Sequence, residues 1–164
     1  MSSIRRLNHA VLYVRDAQRT AQFFRDVLGF VTVQEAAGGR AVFLRAGGSN
    51  NHHDLGLFSI GAQAPHQRGV GLYHLAWQVD TIDELVALRA KLQAAGALAG
   101  ESDHGVSKSL YAHDPDGIEF EVMWMVPEHA WGSYATDSVV APLDLSAEQQ
   151  KWSGVRPACE VGGV

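Results

Sequence analysis

The chain contains two copies of one short pattern, and any fold it adopts must place both. Residues 7–14, Leu-Asn-His-Ala-Val-Leu-Tyr-Val, and residues 72–79, Leu-Tyr-His-Leu-Ala-Trp-Gln-Val, carry Leu, His and Val at the same offsets, with His9 and His74 65 residues apart. Both runs alternate with period two, the pattern of strands that bury one face. In the first, His9, Val11 and Tyr13 oppose Ala10, Leu12 and Val14; in the second, His74, Ala76 and Gln78 oppose Leu75, Trp77 and Val79.

The repeat continues beyond the strands. Asp16 is a predicted N-cap, Ala17, Ala21, Phe24 and Leu28 form a stripe at helical spacing, and Gly29 is the stop. In the second copy Thr81 to Glu84 has capping-box spacing, Leu85, Leu88 and Leu92 form the stripe, and Gly96 ends it. Three extended runs follow each helix: residues 30–35, 40–45 and 54–60, then 98–103, 108–113 and 118–126. Gly38-Gly39, the Gly47 to Asn50 stretch and Asp114-Pro-Asp-Gly117 supply the turns. The predicted organisation is α+β, with module one at 4–62, a linker at 63–69, module two at 70–126 and a tail at 127–164. Each βαβββ module leaves one sheet face unmatched, so the two mixed sheets are expected to join or curl around a shared cleft. In the tail, Trp131, Tyr134, Leu143, Leu145 and Trp152 are candidates to pack on the domain, while the Gly-Val-rich end is expected to be loose.

Composition narrows the partners. A net charge of −5 over 164 residues argues against nucleic acid and anionic membrane surfaces. No apolar stretch approaches a membrane span, and the opening residues lack the apolar core of a signal peptide. The single cysteine, Cys159, cannot form an internal disulfide and has no activating neighbour, so a reducing, cytoplasmic setting is expected. Eight histidines stand out against this background, since histidine is the commonest metal ligand and the usual acid–base near neutral pH.

His9 and His74 occupy equivalent positions on the more polar faces of equivalent strands. The last strand adds Glu119 and Glu121 on one face, opposite Phe120, Val122 and Trp124. Two imidazoles and one carboxylate on rigid strands suit a non-haem Fe(II) centre with positions open for substrate and oxygen. Read singly, a histidine on a strand is more often a hydrogen-bonded structural residue; the repeat symmetry is what makes the pair a candidate site. His66 sits in the polar linker, His113 shares the face of Tyr111 next to a turn, and His129 lies in the tail.

The paired modules, the strand-borne His9 and His74, and the run Asp114-Pro-Asp-Gly-Ile-Glu-Phe-Glu121 resemble the vicinal oxygen chelate superfamily, which includes glyoxalase I, bleomycin-resistance-type binding proteins and type I extradiol dioxygenases. The resemblance covers residues 5 to about 126 and assigns the carboxylate ligand to Glu121, giving His9, His74 and Glu121 as metal ligands. Finer features are similar to the catalytic domain of extradiol dioxygenases. The start of His52-His53-Asp54-Leu-Gly-Leu-Phe58 implies His53 as an acid–base beside the metal, with His52 as its neighbour. Tyr111, ten residues before Glu121, matches a tyrosine that contacts the catecholate oxygen, and His104, seven residues before Tyr111, resembles a further active-site histidine. The tail runs Val126-Pro-Glu-His-Ala-Trp-Gly132 and Pro142-Leu-Asp-Leu145 also look like the end of such domains. Many members carry a second pair of modules, which this chain lacks.

The resemblance implies an Fe(II)-dependent ring-cleaving dioxygenase, with Mn, Zn or Ni as alternative metals and a small catechol-like aromatic and dioxygen as partners. A catechol must lose a proton to chelate, and His53 or Tyr111 could accept it. Two other functions suit the same scaffold: a metal-free protein that sequesters an aromatic or antibiotic, and a metal-dependent isomerase. The isomerase pattern takes a fourth ligand, preferably glutamate, near residues 53–56, where this chain offers His53 or Asp54. A homodimer that covers exposed sheet edges is a further expectation.

Overall fold

The structure, a computed structural model, describes residues 3–4, 6–66 and 69–156. Cys159 and the Gly-Val-rich end lie outside the described residues. The chain divides into two compact units. The first comprises Met1–Gly71 with Asp114–Gly117, the second Leu72–His113 with Ile118–Val164.

In the first unit, β1 (Ala10–Val14) leads to α1 (Ala17–Leu28), then β2 (Val31–Ala36), β3 (Ala41–Arg45) and β4 (Leu55–Ser59). The sheet order is β1-β4-β3-β2; β1 runs parallel to β4 and the other pairings are antiparallel. Asp16 caps α1 as the sequence predicts, accepting the Gln18 and Arg19 amides, and Gly29 ends it at φ 74°, a conformation that favours glycine. The buried stripe is Ala17, Thr20, Ala21, Phe24 and Val27; Leu28, expected in it, is only half-buried because the stripe continues at a spacing of three from Phe24. Beneath it Val14, Val42, Leu44, Leu55 and Leu57 are almost fully buried. The turn Asp114–Gly117 belongs with this unit, where the Arg15 amide donates to Asp116 Oδ2 at 2.6 Å and Arg19 Nη2 to the Pro115 carbonyl at 3.2 Å.

The second unit repeats the plan with β5 (Leu75–Val79), α2 (Ile82–Ala94), β6 (Leu98–Asp103), β7 (Ser107–His113) and β8 (Glu119–Met125) in the order β5-β8-β7-β6. Again the first strand is parallel to the last and the others are antiparallel. The predicted capping box forms, Thr81 and Glu84 satisfying each other's backbone amides. Leu110, Ala112, Phe120, Val122 and Trp124 alternate along β7 and β8 toward the buried side. Both sheets are mixed and the class is α+β, as expected from the sequence.

The tail contributes an element that the sequence reading did not delimit, α3 (Leu145–Trp152), started by the Asp144 side chain accepting the Ala147 amide. Leu145 is buried, and the Trp152 ring packs at a tilt of 51° against Trp124 with centroids 5.9 Å apart. Asp83, in the first turn of α2, holds the end of α3: Gln149 Nε2 donates to Oδ1 at 2.9 Å, the Gly154 amide to Oδ2 at 2.8 Å, and the Ser153 hydroxyl to both oxygens. The Gln149 bond first, then the Gly154 amide, hold the Asp83 carboxyl below its ordinary value of 3.8, with the Ser153 hydroxyl adding to them against desolvation. A depressed carboxyl stabilises the fold above the unfolded value and loses that contribution as pH falls through the folded one. We therefore expect thermal melts of Asp83→Asn and wild type to differ by a constant gap above about pH 5. That gap should close as pH falls below 3.8; a gap that widens on acidification would refute the clasp. Among the described residues no helix is long and apolar enough to cross a membrane.

Candidate functional site

On the second sheet the polar side chains gather on the face opposite the helices, because β5, β7 and β8 alternate in register. Glu121 pairs with Ala76 on one side and Tyr111 on the other, and Glu119 pairs with His113. His74, one residue before β5, reaches both carboxylates: Nδ1 lies 3.3 Å from Glu119 Oε1 and Nε2 lies 3.1 Å from Glu121 Oε2. With the Nδ1 proton directed at Glu119, Nε2 would be left as the nitrogen facing the space beside Glu121. Two neighbouring ligands about 2.1 Å from one octahedral ion stand about 3 Å apart, so the separation of Nε2 and Oε2 suits a pair sharing a metal. Glu121 is only 9% exposed, which shelters such a site from competing water.

Tyr111 and His104 stand beside this pair. The Tyr111 hydroxyl is 2.8 Å from His104 Nε2, and His104 Nδ1 is 3.1 Å from the Val139 carbonyl. The Tyr111 and His74 ring centroids are 5.8 Å apart. Burial first, then the charges of Glu121, Tyr73 and Glu119, push the Tyr111 phenol above its ordinary range. His113 approaches Glu119 only at 3.9 Å and is half exposed.

The first unit holds a separate group of histidines. His9 lies just ahead of β1, exposed, its Nδ1 donating to Asn8 Oδ1 at 2.9 Å. Its ring centroid is 4.5 Å from that of His53, which meets the edge of Phe43 at 5.2 Å. His52 and His53 approach through their Nδ1 atoms at 3.0 Å. Burial, and after it His9 and His52, hold the His53 imidazole below its ordinary value, with Asp54 acting the other way. Asp54 itself is spent on structure: its oxygens accept the Ala46 amide, the Ser49 hydroxyl and the Asn51 amide side chain at 2.7–2.9 Å. Three of its roughly four lone-pair sites are thus used locally. That engagement weighs against one of the two residues the sequence offered as a fourth ligand.

The predicted residues thus fall into two groups, His74, Glu121, Tyr111 and His104 in the second unit, and His9 and His53 in the first. Among the described residues no cluster of three or more His, Cys, Asp or Glu is arranged to hold a metal ion. Two contributions were missed from sequence. Glu119 was placed on the right face but not recognised as the His74 Nδ1 partner, although the parallel register of β5 and β8 carries that signal. Val139 acts through its backbone carbonyl, for which side-chain identity gives no sign. His66 and His129 are exposed and join neither group. A cavity of about 420 Å³ on the helix side of the second unit, lined by Val86, Arg89, Glu101, Leu143 and Gln149 among others, contains none of the site residues.

A family model described as the Glyoxalase/Bleomycin resistance protein/Dioxygenase superfamily matches residues 6–122. Catechol-2,3-dioxygenase of Bacillus subtilis (strain 168) is 32% identical over 148 residues, which cover 87% of this chain and 51% of that protein. Biphenyl-2,3-diol 1,2-dioxygenase 3 of Rhodococcus globerulus is 30% identical over 168 residues, covering 95% of this chain and 86% of that protein. Among solved structures, lactoylglutathione lyase from Agrobacterium tumefaciens is similar with a TM-score of 0.54 and 26% identity, covering 76% of this chain and 94% of that one. The chain therefore spans about half the length of the Bacillus relative and most of the Rhodococcus one.

Proposed function

Because the chain belongs to the glyoxalase/bleomycin resistance protein/dioxygenase superfamily, we propose that it is an Fe(II)-dependent extradiol dioxygenase opening the ring of a small catechol-like aromatic. The observation that carries this reading is the pairing of His74 with Glu121 on a strand face that also presents Tyr111 and His104. The dioxygenase relatives add to it.

His74 and Glu121 would hold the metal, and the third ligand that the family resemblance implies is His9. Bound there, Fe(II) would supply a Lewis acid that binds catecholate and dioxygen together and passes electrons between them. Glu119 orients His74 and raises the basicity of its Nε2. Tyr111 meets a substrate oxygen beside Glu121 and positions the ring, since its hydroxyl is already fixed by His104. His53, kept neutral near pH 7 by burial and its histidine neighbours, takes the proton that a catechol gives up on chelation.

An isomerase is the second reading, supported by the lactoylglutathione lyase likeness. Against it stand the occupied Asp54 and the lack of a glutamate near residues 53–56. Metal analysis after anaerobic purification separates the two. We expect iron near one per chain, together with oxygen uptake and a yellow ring-fission product from catechol. Manganese with the same products would keep the reaction and change the metal. Zinc or nickel without oxygen uptake would favour the isomerase, and a chain that takes up no metal would end both enzyme readings.

A further inference from the structure

Whereas α3 packs on the helix side of the sheet, another segment of the tail passes beside His104. At residue 141 it forms a two-bond antiparallel bridge with the end of β6: the Asp103 amide donates to the Ala141 carbonyl and the Ala141 amide to the Asp103 carbonyl, both at 2.9 Å. The Asp103 side chain is held as well, its Oδ1 accepting the Gly105 amide at 2.7 Å and the Lys108 ammonium. Gly105 has φ +75° and no room for a side chain, since a Cβ there would sit 2.5 Å from Tyr134 Cγ. Tail and β6–β7 loop are thus fitted to each other on both sides of His104.

We propose that residues 137–141 are a positioning strap that sets the proton on His104 and, through it, the direction of the Tyr111 hydrogen bond. A backbone carbonyl can only accept, so the contact with Val139 requires the proton on His104 Nδ1. In the neutral ring that leaves Nε2 as an acceptor, and the Tyr111 hydroxyl, 2.8 Å away, must donate to it. With its one proton turned toward His104, the Tyr111 oxygen offers only lone pairs to the site. The ligand group it recognises is therefore a hydrogen-bond donor, a phenolic hydroxyl that still carries its proton, and an aryl methyl ether in that place leaves the tyrosine unpaired. The Val139 carbonyl, Asp103 and Ala141 act through His104 and touch no ligand. The identity of the ligand rests on the dioxygenase reading; the tautomer of His104 does not.

Long-range proton–nitrogen spectra of the full chain, labelled with ¹⁵N at histidine and kept in a chelating buffer, read the tautomer without turnover. The expected result is one form of His104 protonated at Nδ1. In Ala141→Pro, which removes the amide that donates to Asp103, and in Gly105→Ala, which displaces Tyr134, the Nε2–H form should grow at least about tenfold relative to wild type, since neither tautomer is then held by a fixed acceptor. Wild-type His104 protonated at Nε2, or both variants keeping the Nδ1–H form, would overturn the strap. If either variant fails to fold, the wild-type spectrum still decides. With iron restored, catechol turnover in the folded variant should fall about tenfold to a hundredfold at unchanged metal content, and wild type should bind catechol in preference to 2-methoxyphenol. Equal binding of the two would overturn the donor requirement. A wild-type protein that turns over no catechol would remove the dioxygenase reading and leave the tautomer result standing.

Discussion

Glu121→Gln is expected to strip the metal from the chain, whereas Glu119→Gln is expected to loosen it. The two carboxylates are two residues apart on β8, share one face and both contact His74, so sequence spacing alone treats them as rivals. On the proposed metal-site reading, their roles divide by which imidazole nitrogen each meets. Glu121 faces Nε2 and is nearly buried; an amide there is isosteric, neutral and a poor ligand for a hard divalent ion. Glu119 faces Nδ1, where it orients the ring and supports its basicity without touching the metal. Losing a partner of that kind typically costs about 10–100-fold in metal affinity or activity. Loss of a ligand should exceed that range. Metal titration of both variants against wild type checks the order, with circular dichroism confirming that each is folded. A Glu121→Gln chain that binds iron as tightly as wild type, or a Glu119→Gln chain that loses more metal than Glu121→Gln, would reverse the assignment.

The same pair shows why part of the site was legible from sequence and part was not. Alternation along 118–126 gives the face of Glu119 and Glu121, and the repeat gives the strand that carries His74, because both are one-dimensional patterns with period two. Helix limits were legible for a similar reason: Asp16, Gly29 and the Thr81–Glu84 box are local chemistry, satisfied within a few residues of backbone. The bonds from His74 to two carboxylates depend on β5 and β8 lying side by side, 45 residues apart in the chain, with β8 inserted between β5 and β7. That is a property of sheet order. Asp54 illustrates the opposite error. Its type and position suit a ligand, but its neighbours Ser49 and Asn51 close a local knot around it, and only their geometry reveals that its oxygens are taken. The segment 137–141 was least visible, since the group that meets His104 is a main-chain carbonyl.

His53→Phe should keep its metal and lose turnover by about 10²–10⁴, the range expected when a positioned general acid or base is removed. Phenylalanine is a conservative choice here. It fills nearly the same volume, His53 already packs against the Phe43 edge and the His9 ring, and the position is only half-buried, so the fold should tolerate it. What it removes is the nitrogen that could take a proton from a bound catechol, and the hydrogen bond to His52. Metal content therefore distinguishes the two enzyme readings at this residue. If His53 is an acid–base beside a three-ligand centre, iron stays and kcat collapses. If it is instead the fourth ligand of an isomerase-type centre, metal affinity falls together with activity. Unchanged turnover would take His53 out of the mechanism altogether. His52→Phe is the matched control: it breaks the same His52–His53 bond but leaves the His53 nitrogens in place, so its turnover should remain well above that of His53→Phe.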